Sequence, residues 1–210
     1  MDAPANLTTI KRSSGPFNRP AKAMPGPSGD IYVADGYGNA RIHRFSSDGS
    51  LLHSWGDPGR GPSEFMCPHG MWIHTDGRIF VCDRDNDRVQ VFAPDGVLMT
   101  IWPDVVQPSD IRVDDRGYVY IGMEHMASGK ERMSGGTFTS NRPSKLSIRD
   151  LDGVELATWG DDAYAPGSFM SAHSLCLDSQ GDLYVAETPA TDMGDRYKPG
   201  TKLVQKFVRI

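Results

Sequence analysis

Hydrophobic and polar positions alternate in short runs along this chain, and the runs recur in a fixed order. A glycine turn followed by an alternating run occurs four times: SGDIYVAD at 28–35, DGRIFVCD at 76–83, RGYVYIGM at 116–123 and QGDLYVAE at 180–187. A short polar turn then leads into ARIHRF, DRVQVF, SKLSIRD or TKLVQKF, whose period of two reads as a half-buried strand. Three units continue through a DG turn to a strand ending in Trp55, Trp102 or Trp159, and DG between apolar runs signals a hairpin. After a loop such as DPGRGPSEF or DDAYAPGSF, a short apolar strand (GMWIH, DIRV, SLCL) opens the next unit. Four strands per unit make a propeller blade. The pattern therefore predicts an all-β fold, a β-propeller of four blades at about 17–56, 65–102, 106–160 and 168–210, after an N-terminal segment 1–16.

The repeat glycines Gly29, Gly77, Gly117 and Gly181 are spaced by 48, 40 and 64 residues. Insertions explain the unevenness: EHMASGKERMSGGTFTSNRP in the third unit and TPATDMGDRYKPG in the fourth, both between second and third strands. Loops at equivalent points of successive blades emerge on one face, where a lid or a substrate contact belongs.

Composition narrows the setting. A net charge of -5, from 22 Lys+Arg against 27 Asp+Glu, argues against nucleic acid as a partner. The odd number of cysteines, Cys67, Cys82 and Cys176, with no CxxC pairing, points to reduced thiols and a cytoplasmic location. No apolar stretch approaches the roughly 20 residues of a membrane span, so no membrane partner is expected.

The four units resemble NHL repeats. Over most of the chain the likeness is more specific: YVADGYGNARIHRF, FMCPHGMWIHTDGRIFVCDRDNDRVQVF and FMSAHSLCLDSQGDLYVAE are similar to the catalytic domain of peptidylglycine alpha-amidating lyase and its bacterial relatives. That family is a six-bladed propeller with a catalytic zinc and a calcium ion in its channel. The resemblance runs from about Phe17 onward and implies that this chain corresponds to blades three to six. Four blades could close on themselves, as propellers of about four to eight blades do, or an open ring could expose strand edges through which two chains pair as a homodimer.

A pattern in the residues themselves bears on the zinc. Eight residues before each repeat glycine stand Ala21, His69, Ser109 and His173, so histidine occupies alternate blades. In a six-bladed ring such blades lie about 120° apart, which lets three imidazoles converge on the axis. Catalytic zinc commonly takes three protein ligands and keeps a position for water or substrate. His69 and His173 are thus the expected metal ligands, the third belonging to the blades that the chain lacks. Either histidine could instead be an ordinary surface or core residue. His43, His53 and His74 lie in or beside strands and read as structural. His125, in the third insertion, either nears the channel mouth or sits solvated in its loop. Cys67 could be a soft ligand or, more simply, a small buried filler.

The resemblance assigns two further roles. Tyr37 in DGYGNAR matches the family's tyrosine near zinc, a base for the substrate's hydroxyl proton. A phenol of ordinary pKa near 10 needs a cation beside it for that task. Arg84 in CDRDND matches an active-site arginine able to grip a carboxylate bidentately. The plainer alternatives are a loop aromatic over the blade edge for Tyr37 and an ion pair with Asp83 or Asp85 for Arg84. Ser174 replaces the aspartate that the family uses for calcium, which leaves the calcium site in doubt. Asp35 and Asp83, each six residues after a repeat glycine, are expected to brace loops by accepting backbone N–H bonds.

Three functions follow. The first is a zinc-dependent lyase that cleaves a carbinolamide C–N bond to give an amide and glyoxylate, acting on a peptide-like or other small molecule. The second is a non-enzymatic NHL-repeat scaffold for protein interactions. The third is a lactonase-type hydrolase, ranked last because the loops offer histidine rather than clustered carboxylates.

Overall fold

The structure is a computed structural model, and it describes residues 17–131, 136–161, 165–188, 200 and 203–209. The fold is all-β, built of blade-type antiparallel sheets. The first contains β1 (Lys22–Pro25), β2 (Ile31–Asp35), β3 (Arg41–Phe45) and β4 (Leu51–Trp55) in that order. A short parallel pair, β5 (Asp57–Pro58) and β6 (Glu64–Phe65), precedes the second sheet of β7 (Pro68–Ile73), β8 (Ile79–Asp83), β9 (Arg88–Phe92) and β10 (Leu98–Trp102). The third sheet holds β11 (Pro108–Val113), β12 (Val119–Met123), β13 (Lys145–Arg149) and β14 (Glu155–Trp159). The fourth holds β15 (Ala172–Leu177), β16 (Leu183–Glu187) and β17 (Val204–Phe207). Both expected insertions fall between second and third strands; residues 189–199 of the second one lie outside the described residues.

The strand that the sequence pattern passed over is β1. Its KAMP carries no apolar run, and burial merely alternates along it.

The hairpin turns are also more specific than a DG signal. Gly29 N–H donates to Gly26 O and Gly26 N–H to Asp30 O, with Gly29 at φ +85°. The same pair of bonds recurs at Ser46–Ser50, His74–Arg78, Ala93–Val97, Asp114–Tyr118, Asp150–Val154 and Asp178–Asp182. This is the three-residue loop in which a type I turn is followed by one left-handed residue. That last position is what both the repeat glycines and the glycines of the DG pairs supply.

The chain divides into two compact units, one of residues 1–105 with 131–137, the other of 106–130 with 138–210. Each packs two sheets around its own core. In the first unit Trp55 and Phe65 both pack on Phe92, with ring centroids 5.9 and 5.8 Å apart. In the second, Trp159 and Phe169 meet Phe207 at 5.9 and 5.8 Å. Burying an aromatic of this size stabilises the fold by about 1.5–3 kcal/mol. The glycines after Trp55 and Trp159 fit the clamp: a Cβ on Gly56 would lie 2.5 Å from the Phe65 ring, and one on Gly160 2.7 Å from that of Phe169.

Candidate functional site

In the first unit, the loops after β2 and β8 and the start of β7 bring three functional side chains together. The Tyr37 hydroxyl lies 2.8 Å from His69 Nε2. Arg84 Nη1 donates to the same hydroxyl at 3.1 Å, and its guanidinium carbon sits 5.3 Å from the centre of the Tyr37 ring. His69 is buried, whereas Tyr37 and Arg84 are half-buried. Backbone bonds fix the carriers: Arg84 N–H to Cys67 O at 3.2 Å, Asp85 N–H to Met66 O at 3.0 Å and Tyr37 N–H to Arg19 O at 3.3 Å. Gly36 permits the approach, because a Cβ there would stand 2.1 Å from the Pro68 carbonyl oxygen. Cys67 is fully buried and holds a positive φ of 61° just before Pro68 and His69, a backbone state that packing must sustain.

The ion-pair alternative for Arg84 is seen in its contact with Asp85. Arg84 Nε is 3.5 Å from Asp85 Oδ1 while the other end of the guanidinium serves Tyr37. Asp83 belongs to the brace: it accepts from the Met66 amide at 2.7 Å and from Arg88 Nε at 2.7 Å. Burial pushes its carboxyl up, to about 6, against the pull of Arg88, Asn86 and the Met66 amide. Asp35 accepts the Asn18 amide on both oxygens, at 3.1 and 2.9 Å. Burial opposes its ionisation too, but bonds from His43, Asn18 and Asn39 outweigh that and hold its carboxyl below the ordinary range.

In the second unit, His173 on β15 faces Glu124, the residue after β12, with Nε2 to Oε1 at 3.6 Å. Glu124 is 3% exposed. Two buried serines fix the carriers. Ser144 Oγ donates to the Met123 carbonyl at 2.7 Å and accepts from the Ala172 amide at 2.8 Å. Ser109 Oγ lies 2.7 Å from the Ala172 carbonyl and 3.0 Å from that of Gly122. The serine in the histidine register of the third blade is therefore a backbone clamp.

Sequence reasoning did not single out Glu124, although a signal existed. Gly36, Arg84, Glu124 and Thr188 all stand seven residues after a repeat glycine, so the position that supplies Arg84 in one blade supplies a carboxylate in the next.

The remaining expectations divide. His43 is buried, with Nδ1 2.7 Å from Ser54 Oγ, and His53 stacks on Trp55. His74 lies 2.9 Å from Asp76. His125 is not solvated: it is 3% exposed, in an insertion folded back through Met126–Arg142 bonds. Ser174 donates to Asp110 Oδ2 at 3.2 Å, and Asp110 also accepts from the Leu175 amide and from Arg112. A hydroxyl at position 174 in place of a carboxylate is a poorer donor for calcium, which favours several carboxylate or carbonyl oxygens.

Zinc fits better. A tetrahedral ion with bonds of about 2.0–2.1 Å holds its ligand atoms about 3.3 Å apart, close to the His173–Glu124 spacing of 3.6 Å. His69 offers Nε2, where a cation would take the place of the Tyr37 hydroxyl as partner. Among the described residues no helix is long and apolar enough to cross a membrane.

Comparison with known proteins places these residues in context. The family described as 6-bladed beta-propeller (DUF5128) matches residues 27–146. Human NHL repeat-containing protein 3 is 36% identical over 91% of this chain and 50% of its own length. The Caenorhabditis elegans protein named "Probable peptidyl-alpha-hydroxyglycine alpha-amidating lyase pgal-1" is 27% identical over 81% of this chain and 47% of its own. Among solved structures, a Bacteroides caccae protein of unknown function superposes with a TM-score of 0.66 at 14% identity, over 92% of this chain and 65% of that one. The chain spans about half the length of the curated relatives it matches.

Proposed function

The chain belongs to the 6-bladed beta-propeller family, and on that footing we propose that it is a zinc-dependent lyase of the peptidyl-α-hydroxyglycine α-amidating type. The substrate class is an N-acyl-α-hydroxyglycine, R–CO–NH–CH(OH)–COO⁻. The products are the amide R–CO–NH2 and glyoxylate. Tyr37 takes the carbinol proton, the C–N pair leaves onto nitrogen as the C–O bond becomes a carbonyl, and nitrogen receives that proton. Arg84 holds the Tyr37 hydroxyl by a hydrogen bond at 3.1 Å, which fixes in place the oxygen that takes the proton in this reading. Arg84 would grip the substrate carboxylate in this reading, a guanidinium being suited to bidentate bonds with a carboxylate. His69 in the first unit and His173 in the second are each candidate zinc ligands in this reading, and zinc when bound supplies Lewis-acid polarisation of the substrate oxygen.

The observation that carries the reading is the Tyr37 hydroxyl, which accepts from Arg84 Nη1 at 3.1 Å and lies beside His69 Nε2 at 2.8 Å, the atom that would exchange this hydroxyl for zinc when the ion is bound. The lyase name of a relative aligned over 81% of this chain supports it. The test is glyoxylate release from α-hydroxyhippurate by zinc-replete protein. Tyr37→Phe should lower kcat by about 10²–10⁴-fold, the usual worth of a positioned base, and Arg84→Gln should chiefly raise KM. No glyoxylate from the wild type, or a Tyr37→Phe variant of undiminished rate, overturns the proposal.

A second reading, an interaction scaffold, has its own support. Leu51, Leu52, Val97, Met99, Val154 and Leu156 lie on or beside the outer strands β4, β10 and β14, each more than half exposed. Exposed apolar edge strands invite pairing with another chain. Light-scattering mass that stays monomeric across a wide concentration range counts against self-pairing, and a dimer broken by Leu52→Lys supports it.

A further inference from the structure

We infer that Glu124 is a metal ligand, acting with His173 to hold a divalent cation in the second unit; the choice of zinc rests on the function proposed above. Glu124 Oε1 and His173 Nε2 stand 3.6 Å apart. That is longer than the 2.7–3.2 Å of a hydrogen bond and close to the roughly 3.3 Å between two atoms bound to one zinc ion. The carboxylate is buried, and a divalent cation there would add to the compensation that a buried charge requires. His173 keeps a side-chain exposure of 30%, so its imidazole is within reach of an ion from solvent.

The backbone around the pair has the rigidity that a metal site requires. Ser144 joins Met123 to Ala172, the residues immediately preceding the two ligands, and Ser109 reaches Gly122 and Ala172 one step further in. Gly122 completes the close contact, since a Cβ there would stand 3.0 Å from the Ala172 carbonyl oxygen. The donor set is imidazole plus carboxylate, which suits zinc and excludes the soft-metal preference of thiolate sites. Its register supports the assignment: Glu124 occupies the position of Arg84 in the preceding blade, where the first unit places a functional side chain.

The test titrates the purified chain with Zn²⁺ and Co²⁺ alone, with circular dichroism as the check on folding. Glu124→Gln, nearly isosteric, should weaken Zn²⁺ binding by about 100-fold or more, at or beyond the top of the range for loss of an outer-shell partner. Glu124→Cys should give Co²⁺ a near-ultraviolet thiolate charge-transfer band that the wild type, with its three native cysteines, lacks. The band decides even if Glu124→Gln fails to fold. Wild-type affinity in Glu124→Gln, together with no new band, overturns the inference and leaves zinc binding through the histidines standing. Conversely, metal lost in Glu124→Gln from a wild type that releases no glyoxylate sustains the inference and removes the lyase. A wild type that binds neither ion overturns both.

Discussion

The two units use one packing device and two kinds of chemistry. Trp55, Gly56 and Phe65 close on Phe92 as Trp159, Gly160 and Phe169 close on Phe207, at nearly the same distances. At the positions seven residues after the repeat glycines, the first unit has Gly36 and Arg84 and the second has Glu124 and Thr188. The first unit builds a phenol, imidazole and guanidinium cluster joined by direct hydrogen bonds. The second holds an imidazole and a carboxylate just apart, over a serine-clamped backbone. The difference shows that a blade's core depends on its apolar pattern and its turn glycines, while the strand ends facing the loops are free to vary.

The bracing differs as well. Six residues after the glycine, Asp35, Asp83 and Glu187 accept loop amides, but the third blade has Met123 there. Ser144, just after the insertion, instead ties the Met123 carbonyl to the Ala172 amide at the start of β15. Bracing in the first unit is thus carried by ionisable groups, and in the third sheet by a hydroxyl that does not titrate.

The largest expected effect that probes this contrast is Gly36→Ala. A Cβ 2.1 Å from the Pro68 carbonyl oxygen forces backbone apart, so stability should drop by about 3 kcal/mol in urea melts. Tyr37 should be displaced with it, and a variant of unaltered stability would show that the close approach is unnecessary. Next comes Ser144→Ala, which strips the buried Ala172 amide of its acceptor and should cost about 2 kcal/mol. It should also weaken metal binding by about 10–100-fold while leaving the Tyr37–His69–Arg84 cluster intact, as seen by isothermal titration and tyrosine absorbance.

The smallest effect is the pH response. Asp35, whose carboxyl is held low in the fold, contributes stability that is present above about pH 4 and lost as pH falls. Asp83, raised to about 6, binds a proton more readily folded than unfolded, so its contribution declines as pH rises from about 4 to about 6. Thermal melts across pH 3–7 should flatten below about pH 4 in Asp35→Asn and between about 4 and 6 in Asp83→Asn. Ser144→Ala should keep the wild-type pH profile, merely lowered.

Much of this molecule is written locally. Alternation of apolar positions predicted the second, third and fourth strands, because a pleated strand with one buried face imposes a period of two on its own sequence. The glycines marked the turns, since a left-handed backbone position favours the residue without a Cβ. β1 escaped because KAMP gains its place from pairing with β2 rather than from any pattern of its own. The candidate site was legible only as repeated register. His69, His173, Tyr37 and Arg84 stood out by position and by resemblance, but no local rule reports that Arg84 reaches a hydroxyl contributed by a residue 47 positions earlier.

By itself, then, the sequence determined the all-β class, the order of strands and turns and the residues that repeat the blade, because these depend on neighbours within a few positions. Tertiary structure alone decided that Gly36 lies against Pro68, that His125 is buried, that Ser109 clamps backbone and that Glu124 meets His173. Those facts depend on which chain segments pack side by side, and burial and approach across tens of residues leave no periodic trace in the sequence.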